Sequence, residues 1–391
     1  MTKAAVLAAA LLLAACSSDT SRGAISPGES TTPSQDDTTT VAETLPPTDT
    51  TLAGVFVQPP ASEPTLYYVD NAGTADAPLV IVASMTADGT ITELWSESTE
   101  TYLNVLDVAP GGQRLLLRRL HVDPATNEGV FVLSIRELAS GAETVVGEGT
   151  TYTGGEFARD GSGDLLVSYQ LDTSSNHLDR LGADGHLIAG LAANDDVFGI
   201  DWLQLANGDL VVGGQPMTII SAMGEAKGSA GNTDRSCRPV RRAAPAVVLA
   251  ACGESEVWIT QLWLVPLDGS APLQATKVEI EPSGVDFGVG DLWTTTDGRQ
   301  WVQRYGDCGA AWVEELQADG TAVDADAHGV ILGVAGTRLI TASNGMCEGG
   351  STTIEAYDSA TGANTVLLEP SADDTGEIVG VNTFDIVVVP R

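Results

Sequence analysis

A hairpin unit that recurs along the body constrains this chain more than any other feature: an apolar run, a glycine turn and a second run. The copies are Met85–Ile91, Glu137–Glu143, Leu181–Leu187, Ser221–Glu225, Val265–Ser270, Leu316–Thr321 and Asp358–Ala363. Several carry an Asp-Gly pair, as at Asp88-Gly89 and Asp319-Gly320, and glycine enters a tight turn without a Cβ clash. Between them lies a second series: Val108–Leu117, Phe157–Val167, Trp202–Val212, Pro239–Leu249, Trp293–Val302, Ile331–Ile340 and Val379–Val388. One hairpin from each series makes four strands, and the unit repeats every roughly 45 residues, the length of a propeller blade. Glycine, 43 of 391 residues, is frequent enough to punctuate that many short strands.

The reading is therefore all-β, a seven-bladed β-propeller over residues 63–391. The body opens on an outer hairpin, Leu79–Trp95, and ends on an inner one, Ile378–Val389. Pairing the first with the last completes a seventh blade from both termini and leaves no bare sheet edge. A further strand candidate, Leu66–Val69, has no place in this scheme, and adding it could change the blade count by one. The inner hairpins, notably Val108-Ala-Pro-Gly-Gly-Gln-Arg-Leu-Leu-Leu117, resemble the strands of TolB-like and Trp-Asp-repeat-like bacterial propellers. That resemblance implies a protein- or ligand-binding platform more often than an enzyme.

The N-terminus reads as an address. Met1-Thr-Lys3, a run of apolar residues from Ala4 to Ala15, and Cys16 form a short basic region, a hydrophobic region and a small-residue cleavage site. Leu13-Ala-Ala-Cys16 resembles the lipobox of bacterial lipoproteins. The resemblance implies removal of residues 1–15 and acylation of Cys16 by diacylglycerol and palmitate-type chains. Several chains on one residue suffice for stable anchoring. Residues 16–62 are rich in Ser, Thr, Pro and Asp and bury too little surface to fold, so they read as a disordered tether. The expected location is the extracytoplasmic side of the cell membrane, lipid-anchored, with the bilayer reached through Cys16.

With 53 acidic and 18 basic residues the net charge is −35. Nucleic acid is excluded as a partner, because phosphate binding depends on clustered Lys and Arg. Four cysteines remain besides Cys16, an even number in an oxidising compartment, which predicts disulfides. All four fall at one rim. The preferred pairing is Cys237–Cys252 within the unit built on Pro239–Leu249, and Cys308–Cys347 between the next two units, one of three connectivities.

Catalytic signatures are sparse. The four histidines are His121, His177, His186 and His328, and no nucleophile-elbow, zincin, phosphate-loop or calcium-loop motif occurs. No catalytic residue, cofactor or metal site is assigned. Asp324, Asp326 and His328 alternate along the chain, so in an extended strand they share a face and present O and N ligands to a divalent ion. The simpler reading, and the one preferred, is a polar loop between blades. Arg235, Arg238, Arg241 and Arg242 cluster on an innermost strand; Arg238, Arg241 and Arg242 are the candidates for an anionic ligand, or they neutralise neighbouring acids. The tryptophans Trp202, Trp293, Trp301 and Trp312 read as packing between blades. The expected function is a monomeric, non-enzymatic platform for an envelope protein or ligand. The alternative is a lyase- or hydrolase-type enzyme with its site at the channel mouth.

Overall fold

The computed structural model describes residues 57, 60, 62–72, 78–98, 102–122, 129–149, 151–170, 175–194, 200–231, 235–253, 260–276, 286–306, 310–343, 352–369 and 386–389. Every regular element among them is a β-strand. In chain order, β1 (Thr65–Asn71), β2 (Val80–Thr86) and β3 (Ile91–Glu97) belong to the first blade. The second holds β4 (Tyr102–Val108), β5 (Arg114–Val122), β6 (Gly129–Glu137) and β7 (Glu143–Glu148). The third holds β8 (Thr151–Phe157), β9 (Leu165–Gln170), β10 (Asn176–Leu181) and β11 (Leu187–Asn194). The fourth holds β12 (Trp202–Gln204), β13 (Leu210–Val212), β14 (Met217–Ile220) and β15 (Ala226–Ala230). The fifth holds β16 (Ser236–Ala244), β17 (Val247–Gly253), β18 (Thr260–Pro266) and β19 (Leu273–Gln274). The sixth holds β20 (Asp286–Thr294), β21 (Gln300–Gly306), β22 (Ala311–Leu316) and β23 (Ala322–His328). The seventh holds β24 (Val330–Ala335), β25 (Arg338–Ser343), β26 (Thr353–Asp358) and β27 (Ala363–Leu368), and β28 (Val387–Val389) returns to the first.

The seven-bladed propeller is thus present, closed as expected by pairing N- and C-terminal strands, with one difference in what each end contributes. The closing sheet has the order β28-β1-β2-β3. Leu66–Val69, unplaced from sequence, is its second strand: β1 pairs with β2 over its whole length and with β28 from Thr65↔Val389 to Tyr67↔Val387. One C-terminal strand therefore closes the ring, where an inner hairpin on Val379–Val388 was expected. The first half of that hairpin lies outside the described residues.

The packing explains why the second strand of each blade reads as an unbroken apolar run. A sheet covered on both faces buries every residue of its central strands. Leu115, Leu116 and Leu117 on β5 are all fully buried. Leu115 and Leu117 enter the core between the first and second blades, whereas Leu116 points the other way, into the core between the second and third. On β9, Leu165 and Val167 face back and Leu166 faces forward; on β17, Val248 and Ala250 face back and Leu249 and Ala251 forward. The last of these cores joins Leu66, Tyr68 and Met85 of the first blade to Leu332, Ile340 and Ile354 of the seventh.

The connections divide between the two faces of the ring. Inner and outer hairpin turns, such as 87–90, 182–186 and 221–225, lie on one face. There Asp side chains accept the backbone N–H two residues on, as Asp88 does from Thr90 at 3.0 Å and Asp319 from Thr321 at 2.9 Å. Gly224, at φ +80°, shows why the turn needs glycine: a Cβ there would lie 2.5 Å from the carbonyl oxygen of Gly190 on the preceding blade. The longest connections, 72–79, 275–285, 344–352 and 369–386, all leave from the other face. The chain enters β1 at Thr65, opposite Thr86, and so at the turn face. Just upstream, Val57 is 2% exposed in the core between the fifth and sixth blades. The end of the 16–62 segment therefore packs on the propeller.

Leu116→Ala should cost about 2–5 kcal/mol by emptying a site between two sheets. Val145→Ala, on an outermost strand where the side chain is 54% exposed, should cost well under about 1 kcal/mol. Urea unfolding of the two variants checks the contrast.

Candidate functional site at the hub

The innermost strands are β28, β4, β8, β12, β16, β20 and β24. Three of them frame a recess of about 260 Å³ lined by Leu106 of β4, Gly154, Gly155 and Glu156 of β8, and Ile200, Asp201 and Trp202 at the start of β12. The indole N–H of Trp202 donates to the Glu156 carboxylate. A bulge between Tyr152 and Gly154 disturbs the β8 ladder at this point, a device that re-aims side chains beside sites. A Cβ on Gly154 would stand 3.4 Å from the Trp202 ring and 3.0 Å from the Ser168 hydroxyl, and one on Gly155 would stand 2.9 Å from Leu116. The glycine pair lets the β8 backbone come close to both neighbours while leaving the recess unfilled.

A polar relay fixes these three strands to one another. Asp107, fully buried, accepts the Phe157 N–H at 2.8 Å and a guanidinium nitrogen of Arg159 through both oxygens at 2.9 Å. The Arg159 N–H donates to the Gln204 side chain at 2.8 Å, and the Gln204 amide donates to the Phe157 carbonyl at 2.9 Å. The ends of β4, β8 and β12 are thereby tied in sequence, which holds the recess walls in place.

Two of the β16 arginines, Arg238 and Arg241, act on one acid of the next blade, Asp291. Arg241 lies with Nε 3.1 Å from an Asp291 oxygen on β20, and its guanidinium sits 3.7 Å over the Trp293 ring. Burial pushes the Asp291 carboxyl up from its ordinary value, with Arg241 and the Leu292 N–H opposing the shift; burial likewise lowers Arg241. Tyr305 is raised, first by burial and then by the Asp291 charge. Arg235 lies over Trp263 at 5.8 Å, and Arg238 and Arg242 are exposed. Arg241 and, from an exposed position, Arg238 thus serve the same neighbouring acid, while Arg242 is exposed.

Cys237 and Cys252 are bonded to each other as directly opposed residues of β16 and β17, with Cα atoms 4.1 Å apart. Cys237 also exchanges backbone hydrogen bonds with Gly214 of the preceding blade at 2.9 and 3.0 Å. A Cβ on Gly213 would stand 3.2 Å from the Cys237 carbonyl and 3.4 Å from Asp201. The disulfide rung therefore borders the recess wall. Cys16, Cys308 and Cys347 lie outside the described residues.

The remaining candidates lie away from the hub. Asp324, Asp326 and His328 form part of the outermost strand β23 rather than a loop, alternating on its exposed face with buried Ala325 and Ala327. His328 is 3.7 Å from Asp326. Among the described residues no three carboxylate, imidazole or thiol groups converge as a metal site. His177 stacks on Tyr169 at 5.5 Å, and His186 contacts Asp184 within an outer turn. Asp160, Ser162 and Asp164 converge on the Arg180 guanidinium at 2.7, 2.9 and 2.7 Å, so an internal cation fills that loop. Trp301 is buried between the sixth and seventh blades, as expected for packing, and Trp312 carries Arg304 over its ring at 5.6 Å. Trp202, read from sequence as packing alone, is also a wall of the recess.

No protein-family model matches the chain, and no curated protein matches it. In fold it is similar to several solved propellers. TolB from Acinetobacter baumannii aligns with a TM-score of 0.44 at 10% identity over 84% of this chain and 67% of that one. The β-propeller domain of the Trilobed protease from Pyrococcus furiosus aligns at 0.46 and 11% identity over 78% and 96%. An acylaminoacyl peptidase of Pyrococcus horikoshii aligns at 0.49 and 11% identity, over 81% of this chain and about half, 52%, of that one.

Glu156 and Asp201 were not among the sequence candidates. A signal existed in Gly154-Gly155, just before the expected inner hairpin Phe157–Val167, because paired glycines in a strand mark close approach. Asp291→Asn should destabilise the protein by about 1–3 kcal/mol, since it leaves a half-buried Arg241 without its counter-charge. The double variant with Arg241→Met should lose less than the sum of the single losses, measured by urea unfolding of all four members of the cycle.

Proposed function

We propose that this protein is a lipid-anchored, extracytoplasmic binding platform, held by acylated Cys16 and presenting the long-connection face of the propeller to an envelope protein or ligand. The observation that carries the reading is the division of the two faces. Hairpin turns close one face, whereas the longest connections leave from the other, and binding surfaces are commonly built on loops positioned by a rigid scaffold. The chain also enters the ring at the turn face.

Basic side chains are scarce in this chain, and Arg235 and Arg238 stand at the end of β16 that belongs to the long-connection face. They give that rim a local positive character against an acidic background, suited to an acidic partner surface.

Two measurements test the proposal. Cys16→Ala should move the protein from the membrane fraction to the soluble extracytoplasmic fraction. A partner captured from the native envelope should be lost with Arg235→Glu/Arg238→Glu and retained with Asp88→Lys/Asp268→Lys on the turn face. The reverse pattern, or unchanged membrane partition of Cys16→Ala, overturns the reading.

A further inference from the structure

We infer that the chain just ahead of β1 is a second fastening of the ring: Val57 fills a gap in the core between the fifth and sixth blades, Pro64 seats on the seventh, and the two contacts brace the closing joint. The inference is independent of what the propeller binds and of how the protein is anchored.

The gap comes from small side chains. In that core the fifth blade presents Ala243, Ala251 and Ala275, and the sixth presents Val289, Leu292 and Val302. Among the described residues, each of the other six cores has an aromatic ring or a methionine in it or packed against it. Met85 and Tyr68 do this between the seventh and first blades, and Trp301 between the sixth and seventh. The core between the fifth and sixth blades has neither. Interiors pack to crystal density, and a void forfeits the contacts of every atom that lines it. Val57 belongs to neither sheet, yet it is 2% exposed in this core and forms one compact unit with the propeller. A side chain from upstream of β1 therefore supplies the volume that three alanines leave.

The other end is built to match. Pro64 is buried, and a Cβ on Gly333 of β24 would stand 2.9 Å from its Cγ and 3.0 Å from its Cβ. A bulge between Ile331 and Gly333 lies at the same point of the ladder. The glycine thus leaves the place that the proline ring takes against the innermost strand of the seventh blade. Pro64 follows Val57 by seven residues, a reach of at most about 25 Å. Three of those seven, Pro59, Pro60 and Pro64, are proline. Proline restricts the undocked chain, so less entropy is lost when both ends seat. Among the described residues of this link, Pro60, Ser62 and Glu63 are exposed, which leaves the two ends as the points of hold.

What the brace steadies is the joint in the first blade. No covalent bond closes the ring, and β28 holds β1 through three residue pairs, against seven between β1 and β2. The brace ties the chain entering β1 to the fifth, sixth and seventh blades. The first blade is then fastened to the C-terminal blades twice, once through β28 and once through Val57 and Pro64. Release of Val57 loosens a joint two blades away, which a filler of one core would not do.

Hydrogen–deuterium exchange of the full chain tests that coupling. In Val57→Asp, amides of β1 and β28 are expected to exchange about tenfold faster than in the wild type, along with those of β16 and β20, while those of β5 and β9 stay unchanged. In Gly333→Ala, whose added methyl group displaces Pro64, the distant amides of β16 and β20 are expected to accelerate. Val57→Ala should give the same pattern in smaller degree, and it takes the place of Val57→Asp if the charged variant does not fold. Ser62→Asp, on the exposed stretch, should exchange as the wild type does. Acceleration confined to β16 and β20 in the Val57 variants, or none in those strands of Gly333→Ala, overturns the brace and leaves Val57 as a local filler. Unchanged exchange in every strand of Val57→Asp overturns the contact and the inference with it.

Discussion

Each sheet in this protein has two apolar faces, and neither can be left in water. Leu115 and Leu116 are neighbours in sequence, both fully buried, and belong to different cores. A sheet built this way needs a partner on each side, and so does its partner. A row of such sheets ends in water at two places unless it bends into a ring. Closure is therefore forced by the second strand of every blade, and β28 completes it by covering the inner edge of β1. The glycine turns, the division of faces and the hub all follow from the same requirement.

Much of that architecture is legible along the chain because it is local. A tight turn needs glycine within a few residues of an apolar run, and the run itself is continuous because both faces are covered. Thirteen of the fourteen hairpins are readable on that basis, from Met85–Ile91 to Asp358–Ala363. Closure by strands from both ends was legible, but the place of Leu66–Val69 in it was not, for a physical reason. Leu66–Val69 carries no turn signal of its own, since its partner β28 is joined to it by no hairpin. A strand whose pairing spans the whole chain leaves no local trace.

The hub was less legible than the blades. Arg238, Arg241 and Arg242 stand out in an acidic sequence, yet whether they converge depends on strand bulges at Pro239/Arg241 and Arg242/Ala244 and on an acid from the next blade, Asp291. Glu156 and Asp201 were invisible for the same reason: they come from successive blades and meet only because the Asp107–Arg159–Gln204 relay sets the spacing of β4, β8 and β12. Residues 45 apart share a wall when the repeat closes, and nothing in either stretch alone announces it.

The placement of the scarce cations follows from the fold. Arg119 holds Glu97 and Glu143, Arg159 holds Asp107, Arg180 holds Asp160 and Asp164, Arg241 holds Asp291, and Arg304 holds Glu314. These arginines stand in the inter-strand and inter-blade seams, so the outer surface keeps a strong excess of unpaired acid. Such a surface repels an anionic headgroup layer over a Debye length of about 8 Å at physiological salt. Under the proposed anchoring, the same net charge of −35 that keeps the propeller off an anionic bilayer leaves its outer surface to a partner of complementary charge.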